Sequence, residues 1–83
     1  MSPDIEKLIE DVEVEAVYLV EEEIPTYVVV TPKDAEVISR LKSGVIDPET
    51  DVNVVVLNPA EYMKLNDLNP TLSEMLARGR RLV

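Results

Sequence analysis

The chain has 83 residues, 46% of them apolar, and carries 17 acids against 8 bases for a net charge of −9. That is enough for one domain with a single core, close to the size at which stability is marginal, and too apolar for a disordered chain. The absence of cysteine and histidine excludes disulfides, thiolate chemistry and imidazole bases or ligands.

The longest apolar run is far too short to cross a bilayer, and the acidic amino terminus lacks a basic, apolar signal sequence, so a cytoplasmic protein with no membrane partner is expected. The charge is uneven. Residues 1–36 hold all nine excess acids, whereas residues 37–83 balance. An acidic front half repels phosphate backbones, so no nucleic-acid partner is expected.

Ser2-Pro3-Asp4 starts a helix: serine caps, proline has a suitable φ, and the aspartate meets the positive end of the dipole. Ile5, Leu8, Ile9 and Val12 form one apolar stripe on it. Around Val12 to Glu15 the period changes to two, and the strand this implies runs to Val20, its second half apolar on both sides. Glu21-Glu22-Glu23 and Ile24-Pro25 make a short connection to a second strand, Thr26 to Val30, so the two should pair as an antiparallel hairpin. Adjacent carboxylates on a strand point to opposite faces, which predicts a solvated, aggregation-resistant turn and no metal site.

Thr31-Pro32-Lys33-Asp34 resembles a capped helix start with a capping box. Ala35, Ile38 and Leu41, helped by Val37, supply the buried stripe, Arg40 and Lys42 suit the carboxyl end of the dipole, and Gly44 stops the helix. A loop follows, with a turn at Asp47-Pro48-Glu49. The apolar run Val54-Val55-Val56-Leu57 then reads as a strand covered on both faces, with Val54, Val55 and Val56 all expected to lose most of their exposure. A strand–helix–strand crossover makes this third strand parallel to the second. Asn58-Pro59 and Asn69-Pro70 each open a helix, and Gly79 closes the last. The expectation is one domain over residues 1–83: α/β, a small three-stranded mixed sheet with helices mainly on one face.

Four stretches, VEAVYLV (Val14 to Val20), TYVVVT (Thr26 to Thr31), DVNVVVLN (Asp51 to Asn58) and LNPTLSEMLARGRRLV (Leu68 to Val83), resemble a minimal nucleotidyltransferase domain. The resemblance implies a Gly-Ser motif after the first strand, an Asp-x-Asp pair on the second, and one more Asp on the third. Together these would hold Mg²⁺ and a nucleoside triphosphate. Here Glu21-Glu22-Glu23 stands in place of the Gly-Ser loop, Pro25 and Tyr27 in place of the pair, and Asn53 in place of the last aspartate, with Asp51 two residues earlier. The resemblance therefore implies a nucleotidyltransferase-like domain without an active site. No catalytic, cofactor-binding or metal-binding residue is assigned, no cofactor is expected, and the chain is read as not an enzyme. Small members of that family are paired with a helical partner protein, in some cases as the antitoxin of a two-component system.

Ser2, Ser39, Ser43 and Ser73 have no histidine to activate them. Arg78, Arg80 and Arg81 are read as complementing the last helix dipole, and Tyr18 and Tyr27 as packing at the core edge. A three-stranded sheet with one open face invites a homodimer or a small helical protein partner. Val17 and Leu19 interrupt the polar alternation of the first strand, which places the expected interface at Ala16, Val17, Tyr18 and Leu19. The alternatives are a reduced metal-dependent nucleotidyltransferase using Asp51 and Glu21 to Glu23, or a structural homo-oligomer subunit.

Overall fold

The computed structural model describes residues 2–47 and 49–83. Its elements in order are α1 (Pro3–Leu8), β1 (Ala16–Val20), β2 (Thr26–Val30), α2 (Asp34–Lys42), β3 (Asn53–Leu57), α3 (Pro59–Met63), α4 (Leu65–Leu68), α5 (Pro70–Arg78) and β4 (Arg80–Arg81). The first helix begins as its sequence requires: Ser2 Oγ accepts from the Ile5 N–H at 3.4 Å, and Ile5 and Leu8 are buried.

The expected hairpin and parallel crossover are both present. β1 and β2 run antiparallel with Tyr18 opposite Val28, and β2 and β3 run parallel with Val28 beside Val55. The sheet has four strands, however, in the order β3-β2-β1-β4. The additional strand is the pair Arg80–Arg81, antiparallel to β1. Two charged residues carry no apolar alternation, so this strand forms because the last helix delivers it to a vacant edge. The Leu82 N–H donates to the Val17 carbonyl at 2.7 Å and extends the pairing.

Helices mainly on one face is also corrected. Side chains alternate across a sheet, and here both sets are covered. Val17, Leu19, Tyr27 and Val29 pack with Ile5, Leu8 and Val37 of α1 and α2. Val28 and Leu57, with Tyr18 and Val55, pack instead against Leu65 and Leu72 of α4 and α5. The physical reason is the route of the chain. β3 and β4 lie at opposite edges, so α3 to α5 must cross the sheet to connect them, and the apolar face not taken by α1 and α2 is the one left for them to cover.

The same topology corrects the exposure expected for Val54, Val55 and Val56. All three are only half-buried, whereas every residue of β2 is buried. An apolar run reports that both faces meet helices; it does not report whether the strand has a neighbour on each side. β2 has two neighbours and β3 has one.

Several capping details differ. No side chain caps α2, whose N-cap is Lys33, and the expected capping box is absent. Thr31, fully buried, instead donates through Oγ1 to the Glu13 carbonyl and accepts from the Lys33 N–H at 3.0 Å. Val37 is the buried residue of α2, while Ala35 is exposed. Arg40 reaches across to α1, donating to the Leu8 carbonyl at 3.2 Å and the Glu10 carbonyl at 2.7 Å, where helix-terminal carbonyls lack intrahelical partners. Gly44, at φ +86°, closes α2 as expected. The turn expected at Asp47-Pro48-Glu49 includes Pro48, which lies outside the described residues; Asp47 Oδ1 accepts from the Glu49 N–H at 2.9 Å. Asn58 opens α3 with a reciprocal capping box to Glu61, and α3 and α4 meet at Lys64 where the sequence suggests one helix.

These burials rank the strands energetically. Removing two buried methyl groups at Val28 should cost about 2 kcal/mol, and the same truncation at half-exposed Val55 about half as much. Urea denaturation of Val28→Ala and Val55→Ala should show this order; the reverse order would make β3, not β2, the centre of the core.

Candidate functional site

The four residues expected to form an interface lie inside the sheet. β1 is hydrogen-bonded to β2 on one side and β4 on the other. Ala16, Val17 and Leu19 are buried, Val17 to 0% exposure, and Tyr18 is half-buried. A contact through Val17 would require opening the core. The sequence leaves β1 at an edge of a three-stranded sheet, whereas the carboxyl terminus occupies that edge in the fold.

The sheet end at which the family resemblance would place its metal ions is built from the end of β1 and the starts of β2 and β3. Tyr27 is paired with Val54 and Thr26 with Asn53, so Tyr27 and Asn53 point to opposite faces. Tyr27 is buried among the α1 and α2 contacts, while Asn53 is exposed beside Thr26. Tyr27 and Asn53 therefore do not converge on one point. Among the described residues, no group of three or more histidine, cysteine, aspartate or glutamate side chains is arranged to hold a metal ion.

Two of the three adjacent glutamates are engaged within the chain. Glu21 pairs with Arg80 at 2.9 Å and Glu22 with Arg78 at 3.5 Å, and a shallow cleft of about 410 Å³ lies between them. Gly79 makes this approach possible. Its φ of −83° needs no glycine, but a Cβ there would sit 2.9 Å from the Leu19 carbonyl oxygen and 3.0 Å from Val20 Cγ2. Glycine is present because the backbone comes so close to β1. Exposed ion pairs like these contribute about 0–1 kcal/mol each, so they orient the terminus more than they stabilise it.

Two grooves flank the α3–α5 layer. In the first, Tyr18 and Tyr62 stack with centroids 6.0 Å apart and share a hydroxyl–hydroxyl hydrogen bond of 2.8 Å. This groove, about 450 Å³, is completed by residues including Met63, Asn66 and Leu76. The Tyr62 hydroxyl is held above the ordinary phenol range, first by its hydrogen bond with Tyr18, which favours the protonated phenol, then by burial and by the Tyr18 charge, with Arg81 acting in the opposite sense.

The second groove runs beside β3. One part, about 390 Å³, is lined by Val55, Asn69, Leu72 and Met75; an adjoining part, about 430 Å³, by Glu22, Glu23 and Ile24. Thr26, Asn53 and Met75 belong to both. The main chain of β3 completes the site. The Asn53 N–H donates to the Pro25 carbonyl at 2.9 Å, and the Leu57 carbonyl accepts from Thr31 at 2.9 Å. In a parallel ladder the groups alternate, so Asn53, Val55 and Leu57 face β2, while Val54 and Val56 turn their N–H and C=O groups outward. β3 ends the sheet, and no main-chain bond from another described residue meets those outward groups. This open edge beside a partly apolar groove is the candidate site. Its sequence signal was the strand Val54 to Leu57; what was missing was the knowledge that no strand follows it in the sheet.

Two outcomes test these assignments. Gly79→Ala should destabilise the fold by about 1–3 kcal/mol through crowding against β1, seen as a lower melting temperature. Tyr18→Phe removes the main cause of the raised Tyr62 pKa, so Tyr62 should ionise closer to the ordinary value of about 10 when followed by tyrosinate absorbance. The sign for stability follows. A folded-state pKa above the unfolded one gives a contribution that is complete below the unfolded value and is lost as pH rises through the folded one. The alkaline loss of stability attached to Tyr62 should therefore be smaller, and complete at a lower pH, in Tyr18→Phe; an unchanged Tyr62 titration would remove the hydrogen bond as its cause.

No protein-family model, curated protein or solved structure matches this chain.

Proposed function

We propose that this chain is a catalytically inactive, nucleotidyltransferase-like binding module that acts through protein association. The observation that carries this reading is the sheet end itself. Pro25, Tyr27 and Asn53 stand where carboxylates would be needed, on faces that do not converge, and Glu21 and Glu22 are occupied by Arg80 and Arg78. Metal-assisted phosphoryl chemistry requires a carboxylate cluster and room for a triphosphate. Neither requirement is supplied by these side chains, whereas an open strand edge beside a groove suits a polypeptide partner.

A small helical protein, in an antitoxin-like pair, is the partner that the resemblance to the nucleotidyltransferase family suggests. The contact belongs at the β3 side of the sheet, since both faces are covered by helices and the other edge strand, β4, is only two residues long. No helix among the described residues is long and apolar enough to cross a membrane.

Calorimetric titration with ATP and Mg²⁺ should give no heat beyond dilution, and Asp51→Ala should behave identically. Micromolar affinity that Asp51→Ala abolishes would instead make this a reduced metal-dependent nucleotidyltransferase.

A further inference from the structure

The groove beside β3 has an asymmetric distribution of charge. At its Asn53 end stand Glu22 and Glu23, with exposed Asp51 two residues upstream of Asn53. Glu23 has no ion-pair partner among the described residues. Further along, Val55, Leu72 and Met75 line an apolar stretch with Asn69 and Thr71 at its rim. At the far end Glu61 is the local acid, and its carboxylate is bound to the Asn58 N–H at 3.0 Å. Main-chain hydrogen bonding, an apolar recess and a carboxylate end thus succeed one another along a single edge.

We infer that this edge binds an extended segment of a partner protein by strand addition, the segment having alternating apolar residues followed by arginine or lysine. This rests on the protein-association reading above. The Val54 and Val56 N–H and C=O groups supply the ladder. An added strand also sends alternate side chains to each face, so every second residue lies over Val55, Leu72 and Met75. Antiparallel addition, the more stable arrangement, carries the carboxyl end of the segment toward Asn53 and hence toward Glu23 and Asp51, neither of which is ion-paired among the described residues. That direction places the basic residues after the apolar ones.

A second copy of this chain is the less suitable occupant. Each copy carries a net charge of −9, so pairing edge to edge brings together two strongly acidic molecules, whereas a basic segment is attracted to the same surface. The edge also lacks the protection usual for a strand without a neighbour. No lysine, proline or inward charge lies within Asn53 to Leu57.

The test uses the full chain and a short synthetic peptide that alternates valine with threonine and ends in two arginines, followed by amide-resolved NMR. The Val54 and Val56 amides should gain protection from exchange on binding, and Glu23→Lys should weaken the peptide roughly fivefold through the loss and reversal of one carboxylate. Val54→Pro should abolish binding by removing an outward N–H that β2 does not use. In case that variant folds poorly, the same peptide with alternate main-chain nitrogens methylated, on the side that would meet β3, should fail to bind the unaltered protein. Equal binding of the methylated peptide, shifts centred on Tyr18 and Tyr62, or no binding would overturn the inference. So would a dimer that protects Val54 and Val56 without peptide. Each of these is separable from failure of the associative reading itself, which is decided by nucleotide titration.

Discussion

β2 is hydrogen-bonded along both sides, to β1 and to β3, and both of its faces are buried beneath helices. In a chain this small the core is only a few side chains thick, so the rest of the structure depends on that strand being enclosed. Val28 anchors the layer formed by α3 to α5, and Val29 the layer formed by α1 and α2. β-branched residues suit this position because they lose little side-chain freedom on a pleated surface and present compact, rigid apolar faces. Aromatic bulk is almost absent, and the density of valines replaces it.

The charge distribution acquires a different meaning once the chain is folded. The amino-terminal acids and carboxyl-terminal arginines lie far apart in sequence, yet Glu21 and Glu22 meet Arg80 and Arg78 at one corner of the sheet. Arg81 is held separately, donating to the Glu15 carbonyl at 3.0 Å and to Val83. These contacts occupy side chains that would otherwise be available to phosphate or to a divalent cation. They also seat β4 on β1, closing the edge that the first strand alone would leave open. The longer edge left without a neighbour is the opposite one, along the five residues of β3. The closing of one edge and the opening of the other are consequences of the same chain route.

That route also bears on the proposal of association over catalysis. Catalytic sites in α/β folds draw charged groups from the ends of several neighbouring strands onto one point. Here the register of β2 and β3 sends Tyr27 into the core and Asn53 outward, and alternate residues of a sheet cannot exchange faces without slipping the whole register. The observed pairing of Thr26 with Asn53 and of Tyr27 with Val54 thus keeps these positions apart.

The sequence by itself determined the local elements. The proline-led helix starts at Pro3, Pro59 and Pro70, the hairpin around Ile24-Pro25, the strand through Val54 to Leu57 and the stop at Gly44 all follow from steric and hydrogen-bonding rules acting over a few residues. The parallel crossover was legible too, because a helix between two strands leaves few other routes. Tertiary structure decided the rest. That Arg80 and Arg81 form a strand, that Arg40 satisfies the end of α1, and that Gly79 is needed for close approach and not for its φ all depend on partners tens of residues away. The candidate site belongs to this second group. An apolar run such as Val54 to Leu57 shows that two faces will be covered, but the order of strands in a sheet is set by where the connecting helices deliver them, and only that order left β3 with an open edge.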